Sequence, residues 1–298
     1  MKRTEFLYTS SIILGGLSLG KLPLPAVGKS IRIGMITDLH YADRETPDGS
    51  SRFYRESLQK LSECVSVMNQ EQVDFLIQLG DFKDQNDPPS ESETLQYLDD
   101  INNEFKQFNG PAYHVLGNHD HDSISKQQFL NRIQLPGMNI SRSYYSFDRQ
   151  GFHFVVLDAN FTASGEPYDH GNFTWTDAHI PQDQLDWLVM DLKRNKKPTV
   201  LFVHQRLDEK PGNKNYCVGN ASEVRRILEA TGRVFLVVQG HYHPGDLSTI
   251  NGIVYYTLQA AVEGSGLENN SFAILEIDSK MHMKVIGFRK TPSISLPG

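Results

Sequence analysis

Ala112-Tyr113-His114-Val115-Leu116 runs directly into Gly117-Asn118-His119-Asp120. An apolar run closed by a glycine and then by polar groups predicts a buried strand whose C-terminal end opens into a loop, the place where α/β sheets put ligand sites. The polar residues carry different chemistry. Asn118 can offer a metal its carboxamide oxygen, His119 can pass a proton to a leaving group, and Asp120 can hold that imidazole in one orientation. Four more clusters of this kind sit at the ends of other apolar runs: Asp38-Leu39-His40, Gly80-Asp81-Phe82-Lys83-Asp84, His204 and Gly240-His241-Tyr242-His243.

Outward from this stretch the chain alternates strands and helices. Ile31 to Ile36 predicts a first strand that delivers Asp38 and His40, whose side chains share a face if the backbone stays extended. From Arg52 to Asn69, Leu58, Leu61, Val65 and Met68 recur at helical spacing, and Val73 to Leu79 predicts the next strand, which makes a βαβ unit. Asp87-Pro88-Pro89-Ser90 breaks the chain, Ser90 or Ser92 can cap a helix reaching about Phe108, and Ala112 to Leu116 completes a second unit. A short helix near Lys126 to Ile133 and strands at Ser143 to Phe147 and Phe152 to Leu157 follow. Asp158 to Ile180 is a polar, aromatic-rich stretch with Trp175, and a loop of that length is usually functional or mobile. Pro181 opens a helix with Leu185, Leu188, Val189 and Leu192 on one face, and Thr199 to Val203 leads to His204. Ser222-Glu223 starts another helix, Val234 to Gln239 leads to Gly240, and strands follow at Ile253 to Leu258, Phe272 to Ile277 and Met281 to Phe288.

The 298 residues, 39% hydrophobic and 22% charged, have the composition of a soluble globular protein with ample material for a core. A formal net charge of -7 argues against a nucleic-acid partner, because phosphate-backbone binding needs a basic face. The two cysteines, Cys64 and Cys217, are far apart, and Cys64 lies on an apolar helical stripe, which predicts a buried thiol. Lys2 and Arg3, the mostly apolar run Phe6 to Leu19, and Pro23 and Pro25 form the zones of an export signal over residues 1–26, with the main domain at 27–298. Arg3-Thr4-Glu5-Phe6-Leu7 resembles the twin-arginine export pattern with Thr4 in place of the second arginine. This predicts export to a bacterial periplasm or beyond; the alternative is a cytoplasmic protein with an unstructured N-terminus. The run is too short and too rich in Gly and Ser for a stable membrane span. Oligomeric state is left open.

Collected from strand ends, the candidate metal ligands are Asp38, His40, Asp81, Asn118, His204, His241 and His243. Seven oxygen and imidazole donors exceed one tetrahedral ion and suit two adjacent ions sharing a bridging carboxylate. With no cysteine in the set, the reasonable occupants are two divalent or trivalent transition-metal ions: manganese, iron or zinc.

The five clusters, in this order, resemble the motifs of the calcineurin-like metallophosphoesterases, and the likeness spans Ile31 to about Phe288. The resemblance implies a four-layer αββα sandwich of two mixed sheets flanked by helices, an α/β fold with the site at the strand C-termini. It implies one metal on Asp38, His40, Asp81 and His243 and a second on Asp81, Asn118, His204 and His241, with Asp81 as the bridge. It further implies attack on phosphorus by a water or hydroxide held between the ions, His119 assisting the leaving oxygen, Asp120 holding His119, and Asp84 orienting the site from behind the ligands.

A narrower likeness is to the branch hydrolysing ADP-ribose and CDP-alcohols. It rests on Tyr41-Ala42-Asp43, Arg52-Phe53-Tyr54-Arg55-Glu56-Ser57-Leu58, Gln78-Leu79-Gly80-Asp81 and Glu268-Asn269-Asn270, and departs where that branch carries Gln for His40 and Glu for Asp120. Tyr41, Arg52, Arg55, His121 and Trp175 are the candidate substrate-binding residues; the arginines either bind a distal phosphate or are solvated or ion-paired, and Trp175, with His170 and His179 of the same loop, forms a cleft wall in which the histidines either stack a base or pack the loop. Glu263 follows a strand and either borders the site or serves a turn. His114, His153 and His282 are expected to be packed or solvated. The expected activity is metal-dependent hydrolysis of a small phosphorylated substrate, as a monoesterase, diesterase or nucleotide pyrophosphatase; the alternative is a non-catalytic scaffold on the same fold.

Overall fold

The computed structural model describes residues 29–133 and 142–298, so the export signal expected over residues 1–26 lies outside the described residues. In chain order the elements are β1 (Ile31–Ile36), α1 (Ser57–Gln70), β2 (Phe75–Gln78), α2 (Glu91–Phe105), β3 (Ala112–His114), α3 (Lys126–Arg132), β4 (Tyr145–Arg149), β5 (Phe152–Val156), α4 (Gln182–Arg194), β6 (Thr199–Phe202), α5 (Ala221–Thr231), β7 (Val234–Gln239), β8 (Asp246–Ile250), β9 (Ile253–Thr257), β10 (Ser271–Ile277), β11 (Met283–Arg289) and β12 (Ile294–Leu296). They form two six-stranded sheets, ordered β12-β11-β10-β1-β2-β3 and β4-β5-β6-β7-β9-β8. β1, β2 and β3 run parallel, as do β5, β6, β7 and β9, while β10, β11 and β12 in the first sheet and β4 and β8 in the second pair antiparallel with their neighbours.

Strand period sorts the apolar residues into layers. Phe75 and Ile77 on β2 and Val200 and Phe202 on β6 face each other in the core between the sheets, where Phe75 meets Phe154 and Phe202 edge-on. The intervening residues point outward: Leu76 packs under α1, α2 and α3, and Leu201 under α4 and α5. The result is the expected αββα sandwich. In α1, Leu61, Cys64, Val65 and Met68 repeat at helical spacing and are all buried, Cys64 as a free thiol. Truncating a residue such as Leu61 to Ala costs about 2–5 kcal/mol. Ser90 caps α2 by accepting from the Glu93 N–H, and Ser125 with Gln128 forms a capping box on α3. Pro181 stands at the cap position just before α4.

Two strands escape the sequence reading, β8 and β12. β8 is joined to β9 by Asn251-Gly252, both with positive φ (49° and 83°), the turn that matches strand twist. That dipeptide was the available signal. β8 alternates between half-buried and exposed positions, so its apolar content is too thin to be noticed alone. Among the described residues no helix is long and apolar enough to cross a membrane.

Candidate metal centre

Three of the five motifs leave their strands by a sharp turn. Asp38 and His40 after β1, Asp81 after β2 and His241 after β7 all have left-handed backbones, with φ of 51°, 47°, 50° and 65°. The extended backbone expected between Asp38 and His40 is therefore not what brings them together. A non-glycine residue held there costs on the order of 1–3 kcal/mol, and such strain persists only where surrounding bonds enforce it. Here Asp38 N–H donates to Gly80 O at 3.0 Å and His40 N–H to Asp81 O at 2.8 Å, which zips the first two motif loops together. The third loop closes on them so tightly that a Cβ on Gly117 would lie 2.2 Å from Asp81 N, and one on Gly80 would lie 2.4 Å from His204 Nδ1. Glycine is required at both.

The ligand atoms converge as two sets, Asp38 with His40 and His243, and Asp81 with His204 and His241, the members of each within 4.8 Å of one another. Asp81 Oδ2 joins them, 3.5 Å from His40 Nε2 and 3.1 Å from His204 Nε2. Asp38 Oδ1 lies 3.5 Å from His243 Nε2 and 3.8 Å from His40 Nε2. Asp38 Oδ1, His40 Nε2, Asn118 Oδ1, His204 Nε2 and His241 Nε2 are buried with no hydrogen-bond partner. A buried polar atom without a partner is costly, so five at one locus fit residues built to hold cations. The opposite edges of three imidazoles are already engaged. His40 Nδ1 meets Asp84 Oδ2 at 3.2 Å, His204 Nδ1 donates to Leu79 O at 2.7 Å, and His243 Nδ1 contacts the Glu263 carboxylate. Each contact turns the Nε2 edge toward the cluster, as metal-binding histidines require.

The electrostatics agree. Burial alone would raise the carboxyls of Asp38 and Asp81, yet the imidazoles of His204, His243 and His40 beside Asp38, and of His204, His119 and His40 beside Asp81, hold both well below the usual carboxylate range. Burial likewise opposes His204's charge, but Asp81 and Asp38 lift it to about 9. His241, buried and next to His204, falls to about 3.

His119 stands at the rim, its side chain 27% exposed, with its ring 4.7 Å from that of His40. The sequence points to Asp120 as its partner, and the structure gives that place to Asp122, whose Oδ2 lies 2.5 Å from His119 Nδ1. Burial would lower the His119 imidazole, but Asp122, Asp84 and Asp81 raise it to about 10. Asp120 instead turns inward and accepts the N–H groups of Phe82, Lys83 and Gly117 at 2.9, 3.3 and 2.8 Å. Burial and the Asp81 charge push its carboxyl up to about 7. The physical reason is the 3-10 turn His119–His121: its pitch of three residues aligns His119 with the residue three further on. Asp84 does sit behind the ligands, on His40, and 3.8 Å from His119 Nδ1.

The substrate-binding candidates divide. Tyr41 is buried beside Tyr97 and Asp100 under α2, so it does not reach the cleft. His121 is 0% exposed between Phe129 and Tyr168, where burial lowers it far below the usual imidazole range, and it cannot touch substrate. Arg55 is turned to the surface and paired with Asp43 and Glu45. His170 is likewise turned away, to Asp169 and Glu91. Arg52 does reach the rim, 3.9 Å from Glu263. Trp175 lines the cleft, 5.8 Å from His241 and 5.3 Å from Tyr216, which itself lies 5.8 Å from His241. Tyr216 and Asp122 were missed by sequence reading, Tyr216 because nothing local separates a rim aromatic from a packed one.

Comparison with known proteins gives the same picture. A protein of Oryza sativa subsp. japonica named manganese-dependent ADP-ribose/CDP-alcohol diphosphatase is 30% identical, with 77% of this chain and 83% of that protein covered. One of the same name in Arabidopsis thaliana is 27% identical, with 77% and 86% covered. A 3',5'-cyclic-nucleotide phosphodiesterase of Nostoc sp. is 26% identical, with 72% and 71% covered. The solved structure of a dimetal phosphatase from Danio rerio has the same fold, with a TM-score of 0.77 at 21% identity, covering 89% of this chain and 98% of that one. Residues 31–245 match the sequence model of the calcineurin-like phosphoesterases, a span that holds all five motifs. The chain belongs to the calcineurin-like phosphoesterase family and is a hydrolase acting on phosphate ester bonds.

Proposed function

We propose that this enzyme is a manganese-dependent diphosphatase that splits the diphosphate bridge of a nucleoside diphosphate conjugate of the ADP-ribose or CDP-alcohol type. The observation that carries the reading is the aromatic wall: Trp175 and Tyr216 lie 5.3 Å from each other and each 5.8 Å from His241, so a flat base can stack on this aromatic edge while its phosphates reach the ligand cluster. Stacking of a base on an aromatic side chain contributes about 1–3 kcal/mol. The names of the rice and Arabidopsis relatives support the same substrate class.

Asp38, His40, Asp81 and His243 would hold one ion, and Asp81, Asn118, His204 and His241 the other, through carboxylate, carboxamide and imidazole donors that suit divalent manganese. Bound there, the ions neutralise phosphate charge and acidify water for attack. The chain's own contribution is His119. With Nδ1 held by Asp122, its Nε2 carries the proton that passes to the leaving oxygen as the P–O bond breaks. Water supplies the new oxygen on phosphorus, and the products are two phosphate monoesters. A scaffold needs neither a complete ligand set nor an ordered acid, and both are present.

The test is turnover of ADP-ribose, CDP-alcohols, cyclic nucleotides and simple monoesters with Mn²⁺, with EDTA, and after Mn²⁺ is restored. Conjugates should be hydrolysed fastest, with activity lost to chelation and recovered with the metal. Rapid turnover of monoesters with ADP-ribose untouched overturns the proposal, and a preference for cyclic nucleotides moves the chain toward the activity named for its Nostoc relative.

A further inference from the structure

Lys83, in the middle of Gly80-Asp81-Phe82-Lys83-Asp84, is 0% exposed. Among the described residues its ammonium makes no ion pair; it donates instead to two main-chain carbonyls, His119 O at 2.5 Å and Asp122 O at 2.9 Å. These carbonyls bracket the 3-10 turn that carries both the acid and its partner. The turn has little of its own to hold it, namely His121 N–H to Asn118 O at 3.1 Å and Asp122 N–H to His119 O at 3.2 Å. A buried ammonium is expensive, and a side chain needed only to fill this space would be apolar.

We propose that Lys83 is a positioning residue for acid catalysis: it ties the His119–Asp122 turn to the loop that carries the bridging ligand Asp81, so that the proton donor keeps a fixed place relative to the phosphorus site. The tie is double. Lys83 N–H and Phe82 N–H also hold Asp120 Oδ1, while Asp81 Oδ1 accepts the His119 N–H at 2.8 Å, so the two loops exchange bonds in both directions. Without the ammonium, the carbonyls of His119 and Asp122 lose the shared donor that fixes their separation. The imidazole then samples orientations in which its Nε2 no longer meets the leaving oxygen. The inference rests on the reading of His119 as the acid.

An acid matters most when the leaving oxygen is a poor one. The test is the dependence of kcat/KM on leaving-group acidity for aryl phosphodiesters from phenyl to dinitrophenyl, using the full chain loaded with Mn²⁺, with metal content and Tm recorded. Wild type should show a shallow slope and His119→Ala a steep one. Lys83→Met should steepen it too, losing about tenfold or more on the phenyl ester relative to the dinitrophenyl ester, with metal content retained, and should add nothing to His119→Ala. Lys83→Gln, which keeps an N–H donor, should fall between and decides the matter in the same way if Lys83→Met does not fold. A wild-type slope in the Lys83 variants beside a steep His119→Ala overturns the positioning role whatever their Tm. A wild-type slope in His119→Ala overturns the acid reading instead.

Discussion

Nδ1 of His119 and Oδ2 of Asp122 meet at 2.5 Å across one turn of 3-10 helix, at the open rim of an otherwise buried cluster. A carboxylate in that position fixes the tautomer and the direction of the imidazole, so the remaining nitrogen faces the cleft. Asp122→Asn should therefore lower kcat by about 10–100-fold with a small change in KM, since proton transfer by a positioned side chain contributes about 10²–10⁴-fold in all.

Asp120 gives the opposite result. Its carboxylate joins three backbone N–H groups from two motif loops. Asp120→Leu leaves those donors buried and unpaired, which costs about 1–3 kcal/mol apiece, and the loss should be read in Tm and denaturant midpoint while the His119–Asp122 contact survives.

Glu263 grips His243 from behind, and His243 lowers the Glu263 carboxyl to about 2. Glu263→Ala frees that imidazole to rotate, and partners of this kind are typically worth about 10–100-fold in metal affinity. Titration of metal-free protein with Mn²⁺ should show one site weakened and the other retained; two unaltered sites would remove Glu263 from the centre.

Trp175 is 42% exposed, unusual for so large an apolar ring, yet it leans on Tyr216 and His241. Trp175→Ala should raise KM for ADP-ribose by about 5–100-fold, the equivalent of one lost stacking contact, and change KM for a small phosphodiester far less.

Away from the site, His153 is wedged between Asp191 and Asp148, with Lys197 on Asp148. Burial would lower its pKa, but the two carboxylates raise it above the ordinary 6.5. A group raised on folding stabilises fully below its unfolded value and loses that contribution as pH climbs through the folded one. Because Asp148 is 45% exposed and screened, the contribution should be about 1 kcal/mol. The destabilisation by His153→Asn should be largest near pH 6 and shrink toward pH 9, as measured by denaturant unfolding; a penalty that grows with pH would contradict the assignment.

What the sequence determined by itself is the frame and the candidate ligand set. The short apolar runs in Val73 to Leu79 and Thr199 to Val203, bounded by polar and turn residues, and the helical spacing of Leu61, Val65 and Met68 follow from local backbone geometry, so strands and helices can be read off without neighbours. The same holds for Asp38, His40, Asp81, Asn118, His204, His241 and His243, which all stand at or just beyond strand ends. Tertiary structure alone decided which partner each side chain took. Left-handed φ at Asp38, His40 and Asp81 redirects the chain residue by residue, so Tyr41 turns into the core although its neighbour His40 faces the cluster of Asp38, Asp81 and His243. The tight turn after Asn118 hands His119 to Asp122 and sends Asp120 to the backbone. Glu263, Lys83 and Tyr216 reach the site only because loops distant in sequence are zipped together by hydrogen bonds, and such bonds leave no periodic trace in the chain that makes them.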